Sequence, residues 1–166
     1  MSERLTPVFF EILSGQAMSQ ARIIPSIRAN LMQRGVSPLP FADSEDALAE
    51  ILDSLFEADC WPGLFVVNTF GAEKYLARLD EIMEATPVLF FRRELVWLQE
   101  EQKGASTFSL TAQIQNMRPR LTAVKDYGKA NCAEVAQWAA VHIEKYLRTK
   151  NFRCLETLPS LSRDDD

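Results

Sequence analysis

The sequence is short of the residues on which most familiar site chemistry depends. Among 166 residues there is one histidine, His142, and there are three cysteines, Cys60, Cys132 and Cys154. A single imidazole excludes most histidine-based metal sites and every two-histidine mechanism. Three widely spaced thiols make neither a disulfide frame nor a zinc-binding spacing, so they read as reduced cysteines. No run of about 18 apolar residues occurs, so no membrane-spanning helix is expected. The start, Met1-Ser2-Glu3-Arg4, lacks a basic stretch followed by an apolar core, and a cytoplasmic location is the expectation. Internal repeats and low-complexity linkers are also missing.

What is present is enough apolar material for one core: 47% of the residues are hydrophobic. One domain over residues 1–148 is expected, with 149–166 as a C-terminal tail whose tip is disordered. Net charge is −5, unevenly spread. From Lys103 to Arg153, nine Lys/Arg stand against three acids, a local excess of six positive charges. Such a stretch marks either a face for an acidic partner or a solvated helix surface.

The most informative stretch is Pro62-Gly63-Leu64-Phe65-Val66-Val67-Asn68-Thr69-Phe70-Gly71. A short apolar run bounded by Pro-Gly and Gly reads as a buried central strand, with Asn68 at its carboxyl end. Around it, Pro7–Leu13 reads as a first strand ending in the loop Ser14-Gly15-Gln16. Residues 21–34 read as a helix with Pro25 either kinking it or in its first turn, and closed by Gly35. Leu39–Phe41 is a short edge strand. Asp43-Ser44-Glu45-Asp46 caps a helix that buries Ala47, Leu48, Ile51, Leu52, Leu55 and Phe56. A helix over Ala72–Ala85 and a strand over Pro87–Phe91 follow. Leu110, Ile114 and Met117 have helical spacing, ended by Pro119. Leu121–Val124 is the last strand. Asn131-Cys132-Ala133-Glu134 resembles a capping box, and it opens a helix with Val135, Trp138, Ala139, Ile143, Tyr146 and Leu147 inward.

Five strands alternating with helices predict an α/β, flavodoxin-like fold: a five-stranded parallel sheet in order 2-1-3-4-5, with helices on both faces. In strand order and spacing, residues 7 to 147 resemble the receiver domain of two-component response regulators. Pro62 to Asn68 matches the receiver third strand, which ends in Asp. Pro87-Val88-Leu89-Phe90-Phe91 matches the fourth, and Lys125-Asp126-Tyr127 the Lys-Pro-aromatic end of the fifth. Asp43-Ser44-Glu45-Asp46-Ala47-Leu48 matches the opening of the second helix.

The departures from that pattern carry the functional expectation. A receiver phosphorylates the third-strand Asp and holds magnesium with an acidic pair after the first strand. Here the phosphoacceptor position is Asn68, the loop with Ser14 and Gly15 has no carboxylate, and the Ser/Thr position is Arg92. Lys125 alone remains, placed to bond Asn68. The resemblance therefore implies a degenerate receiver, with no catalysis, cofactor or metal. The expected function is regulatory, through a protein partner with an acidic surface. Receivers use the face of their fourth and fifth helices and fifth strand, so Arg118, Arg120, Lys145 and Arg148 are the candidate interaction residues. A homodimer through the last helix is a variant of the same idea. A small-ligand or anion regulator using Asn68, Arg92 and Lys125 is the alternative. Nucleic-acid binding lacks a recognisable module. Cys132, near Lys129 at a helix start, reads as an inert thiol rather than a redox centre.

Overall fold

The apolar run around Leu64 is the middle of the sheet. In the computed structural model, which describes residues 4–11, 23–68, 76–83, 86–93, 121–127 and 131–159, it forms β3 (Cys60–Asn68). Leu64, Phe65, Val66 and Val67 are wholly buried. A strand buried on both sides needs no polar alternation, which is why the run is continuously apolar. β3 pairs in parallel with β1 (Arg4–Phe10) on one side and β4 (Val88–Arg93) on the other. The edges are β2 (Phe41–Ala42) and β5 (Thr122–Tyr127). The order is β2-β1-β3-β4-β5 with every pairing parallel, the flavodoxin-like arrangement that the sequence predicts.

Helices cover both faces. On one face α1 (Ile23–Gln33) and α4 (Cys132–Thr149) pack Ile23, Ile27, Leu31, Val135, Ala139 and Ile143 against Phe9, Leu64 and Val66. On the other, α2 (Glu45–Glu57) and α3 (Leu76–Met83) pack Leu48, Leu52, Leu55 and Leu79 against Val8, Phe65 and Val67. Pro25 is the third residue of α1, in the first turn, where a missing N–H breaks no helical bond. Gly35 follows with φ +82, the left-handed conformation that closes the helix. Ser44 caps α2, its Oγ accepting from Ala47 N at 3.1 Å. No helix among the described residues is long and apolar enough to cross a membrane.

Several boundaries differ from expectation, and the differences have causes. β1 runs from Arg4 to Phe10, and an irregularity in its pairing with β3 between Thr6 and Pro7 lets proline sit inside the strand. β5 runs three residues beyond Val124, which places Lys125 inside the strand. Phe56 is 49% exposed instead of buried, since it sits at the end of α2 against Trp61. Asn131 makes no side-chain capping bond to α4. The segment assigned to the tail also continues the core: α5 (Arg153–Glu156) and its flanks bury Phe152, Cys154, Leu155 and Leu158. The helical pattern at Leu110, Ile114 and Met117 lies outside the described residues.

Gly63 is the residue that the irregularity leaves over: Thr6 pairs with Pro62 and Pro7 with Leu64. A Cβ at Gly63 would lie 2.8 Å from Leu5 Cβ. Its carbonyl accepts from the Tyr146 hydroxyl at 2.9 Å, tying α4 to the sheet. Gly63→Ala is therefore expected to push β1 from β3 and cost about 1–3 kcal/mol in urea unfolding. Tyr146→Phe leaves that carbonyl without its donor, at about 1 kcal/mol. Burial raises the Tyr146 pKa above the ordinary tyrosine value. With a folded-state pKa above the unfolded one, its contribution is complete below the unfolded pKa and lost as pH rises through the folded one. Alkaline destabilisation should accordingly be weaker in Tyr146→Phe, as thermal melts across that range will report.

Candidate functional site at the carboxyl edge of the sheet

The strand ends bring three polar side chains together in a buried setting. Phe10 pairs with Val67, so the next residues along, Glu11 and Asn68, lie side by side. Asn68 Nδ2 donates to Glu11 Oε2 at 2.7 Å and to the Tyr127 hydroxyl at 3.0 Å. Glu11 is 4% exposed, Asn68 3% and Tyr127 0%. Tyr127 comes from β5, two strands away, and reaches past Phe91 of β4, with which its ring packs edge to face at 6.4 Å. One amide thus joins the ends of β1, β3 and β5.

The chemistry of this cluster follows from its donors and acceptors. An amide NH2 has two protons, and Asn68 gives one to a carboxylate and one to a phenol oxygen. Only a donor can face Glu11 if that carboxylate is ionised, so the amide must present its nitrogen there. An amide has no anionic oxygen with which to attack a phosphoryl group, so the position opposite Glu11 cannot take one up. Among the described residues, Glu11 is the single carboxylate of the cluster, and it accepts from Asn68. Among the described residues, no group of three His, Cys, Asp or Glu converges.

Of the residues proposed from sequence for this edge, Asn68 and Lys125 are seen with their side chains, and the two do not bond each other. Asn68 is at the expected place. Lys125 sends its ammonium to the carbonyl oxygen of Glu156 at 2.8 Å, not to Asn68. Burial lowers its pKa, while the charges of Glu156 and Asp126 act in the opposite direction. Arg92 is described in its backbone, paired with Asp126. Ser14, Gly15, Arg118 and Arg120 lie outside the described residues. Lys145 and Arg148 are exposed on α4, and Lys150 and Arg153 are exposed beside them. Cys132, at the start of α4, is buried.

Glu11 and Tyr127 are the site residues that sequence reasoning passed over. The signal for Glu11 was an acid inside the apolar run Pro-Val-Phe-Phe-Glu-Ile-Leu. A carboxylate there must find a donor or end the strand, and it does both. No family model matches the chain, and neither a curated protein nor a solved structure matches it.

Asn68→Asp would set a second carboxylate against Glu11. Two carboxylates in hydrogen-bond contact cannot both ionise, so the pair retains a proton at pH values where the unfolded chain has lost it. A folded-state pKa above the unfolded one means stability kept at acid pH and lost as pH rises. The expected penalty against wild type is about 3 kcal/mol at pH 8 and much less near pH 4, read from urea unfolding at both values. A penalty independent of pH would mean that Glu11 carries no charge beside residue 68.

Proposed function

We propose that the chain is a non-catalytic regulatory domain that acts by binding a protein partner, on a degenerate receiver-like scaffold. The observation that carries this reading is the state of Asn68. The residue at the phosphoacceptor position is an amide whose two protons are committed to Glu11 and Tyr127 in a buried cluster. A scaffold with receiver-like strand order and without a carboxylate nucleophile has its surfaces left to work with. The exposed basic residues on and after α4 support a partner with an acidic surface, and the same face would serve a homodimer. The anion-binding alternative loses support at two points. Glu11 puts a carboxylate at the strand ends, and Lys125 is engaged with Glu156.

The reading is tested first by chemistry. Incubation with a small-molecule phosphodonor and magnesium is expected to leave the intact mass unchanged. A stoichiometric acyl-phosphate on any Asp or Glu would sink the proposal. The partner is then sought by affinity capture from the native host and reconstituted from purified components. Lys145→Glu with Arg148→Glu should leave stability within about 0.5 kcal/mol. It should lower the association rate about tenfold at low salt, with a smaller difference at high salt. Unchanged kinetics in the double variant would move the interface away from α4.

A further inference from the structure

The end of the sheet opposite Asn68 carries a groove that the reading above does not use. Its volume is about 260 Å3, and it lies between α2, α3 and the start of β3. Buried Leu52 and Phe65 line it together with Ile82, Thr86 and the exposed rings of Phe56 and Trp61. The two aromatic rings meet edge to face at 5.5 Å, yet Phe56 is 49% and Trp61 46% exposed. Single exposed apolar residues are ordinary. A pair of large aromatics held in mutual contact at the mouth of an apolar groove has the form of an anchor pocket. Trp61 is seven residues before Asn68 on one strand, so the groove is roughly 23 Å from the Asn68 cluster.

The charge around the groove specifies what it takes. From Asp43 to Asp59 there are seven acids and no Lys or Arg. Asp53 lines the groove itself, and Glu50, Asp53, Glu57 and Asp59 are exposed. Glu45 pairs with Arg78 at 3.2 Å; among the described residues no other ion pair reaches this segment. The volume falls below the range of about 300–1,000 Å3 common for small-molecule pockets, and suits one or two side chains. Apolar floor, aromatic wall and acidic rim together match an aliphatic anchor followed by a cation, which gains from the carboxylate and from the ring faces.

We propose that this groove docks a short basic–apolar peptide segment of a partner protein, with an apolar side chain on Leu52 and Phe65 and a Lys or Arg between Asp53 and Trp61. The surface is separate from α4 and of opposite charge. It therefore stands whether or not the receiver-like reading holds.

The test uses fluorescein-labelled 12-residue peptides in the full chain's presence, read by anisotropy. One pool carries the pattern Leu-x-x-Arg-Arg-x-x-Leu; in a second the arginines are Glu, and in a third the leucines are Ser. The first pool is expected to bind, more weakly at high salt, and the other two at least about tenfold less. Trp61→Ala and Asp53→Lys should each weaken binding about tenfold with melting curves retained, since both side chains are exposed. Trp61→Phe should keep most of the affinity, and Lys145→Glu with Arg148→Glu should not change it. The proposal is overturned if no pool binds up to about 1 mM, if the acidic pool binds as well, or if Asp53→Lys has no effect. Two other occupants would also overturn it. A second copy is indicated by sedimentation of a dimer that Trp61→Ala dissociates. A small amine is indicated if free arginine amide competes as well as the peptide.

Discussion

A carboxylate kept from water must be given a proton donor, and at Glu11 that requirement organises the carboxyl edge of the sheet. Its Oε2 accepts from Asn68, whose remaining amide proton goes to Tyr127. The three residues come from the ends of β1, β3 and β5, so the bonds hold only if those ends stop level with one another. Ending β1 at Phe10 and extending β5 to Tyr127 are the two boundary positions that allow it. The network also fixes what the edge cannot be. Both amide protons of Asn68 are spent inside it, and the residue that would need to be anionic for acyl-phosphate chemistry is neutral.

The sheet divides the remaining structure into two unlike halves. On the α1/α4 side, helices pack closely, and Glu144 of α4 bonds Arg34 just after α1 at 2.7 Å. That pair is partly exposed, and its contribution is small beside the burial of Ile23, Ile27, Val135 and Ile143. On the α2/α3 side, α2 gives the core Leu48, Leu52 and Leu55 and gives solvent a line of carboxylates. Positive charge gathers on one side of the sheet and negative on the other. The modest net charge of −5 conceals this separation, and separated charge is what discriminates between partners.

What the sequence made legible was whatever a strong one-dimensional pattern encodes. The continuous apolar run at Leu64–Val67 could be only a strand buried on both faces, and the alternation with helices led to the parallel order. Ser44 and Gly35 announced their helix boundaries by their chemistry. Positions governed by contacts distant in sequence were not legible. Ile12 and Leu13 made Glu11 look like the interior of a longer strand, when its partner lies 57 residues away. Phe56 has the spacing of a core residue, but Trp61 meets it outside the core. Lys125 looked like a strand-end lysine because nothing local announces that the Glu156 carbonyl will accept a hydrogen bond from it. Arg118 and Arg120, candidates for an interaction surface on sequence grounds, fall in a stretch without strong periodicity, beyond the described residues.

The chain after α4 changes what the basic face can be. Lys150 turns with φ 60, and the segment folds back so that Phe152 packs edge to face on Tyr146 at 6.2 Å. His142 Nδ1 lies 2.6 Å from the carbonyl of Cys154. A carbonyl oxygen only accepts, so this ring nitrogen must carry the proton. Two residues on, the carbonyl of Glu156 takes the ammonium of Lys125 on β5. The segment is thus fastened to both α4 and the edge strand, and it closes the seam between them. The outward side chains of this segment therefore belong to the surface on this side of β5 and α4. Lys145, Arg148 and Arg153 project outward around it, and a partner drawn to this side would meet those side chains first. Ending the chain at residue 148 would remove the acceptors of His142 and Lys125 together with four buried apolar side chains, so the folded unit extends at least to Leu158.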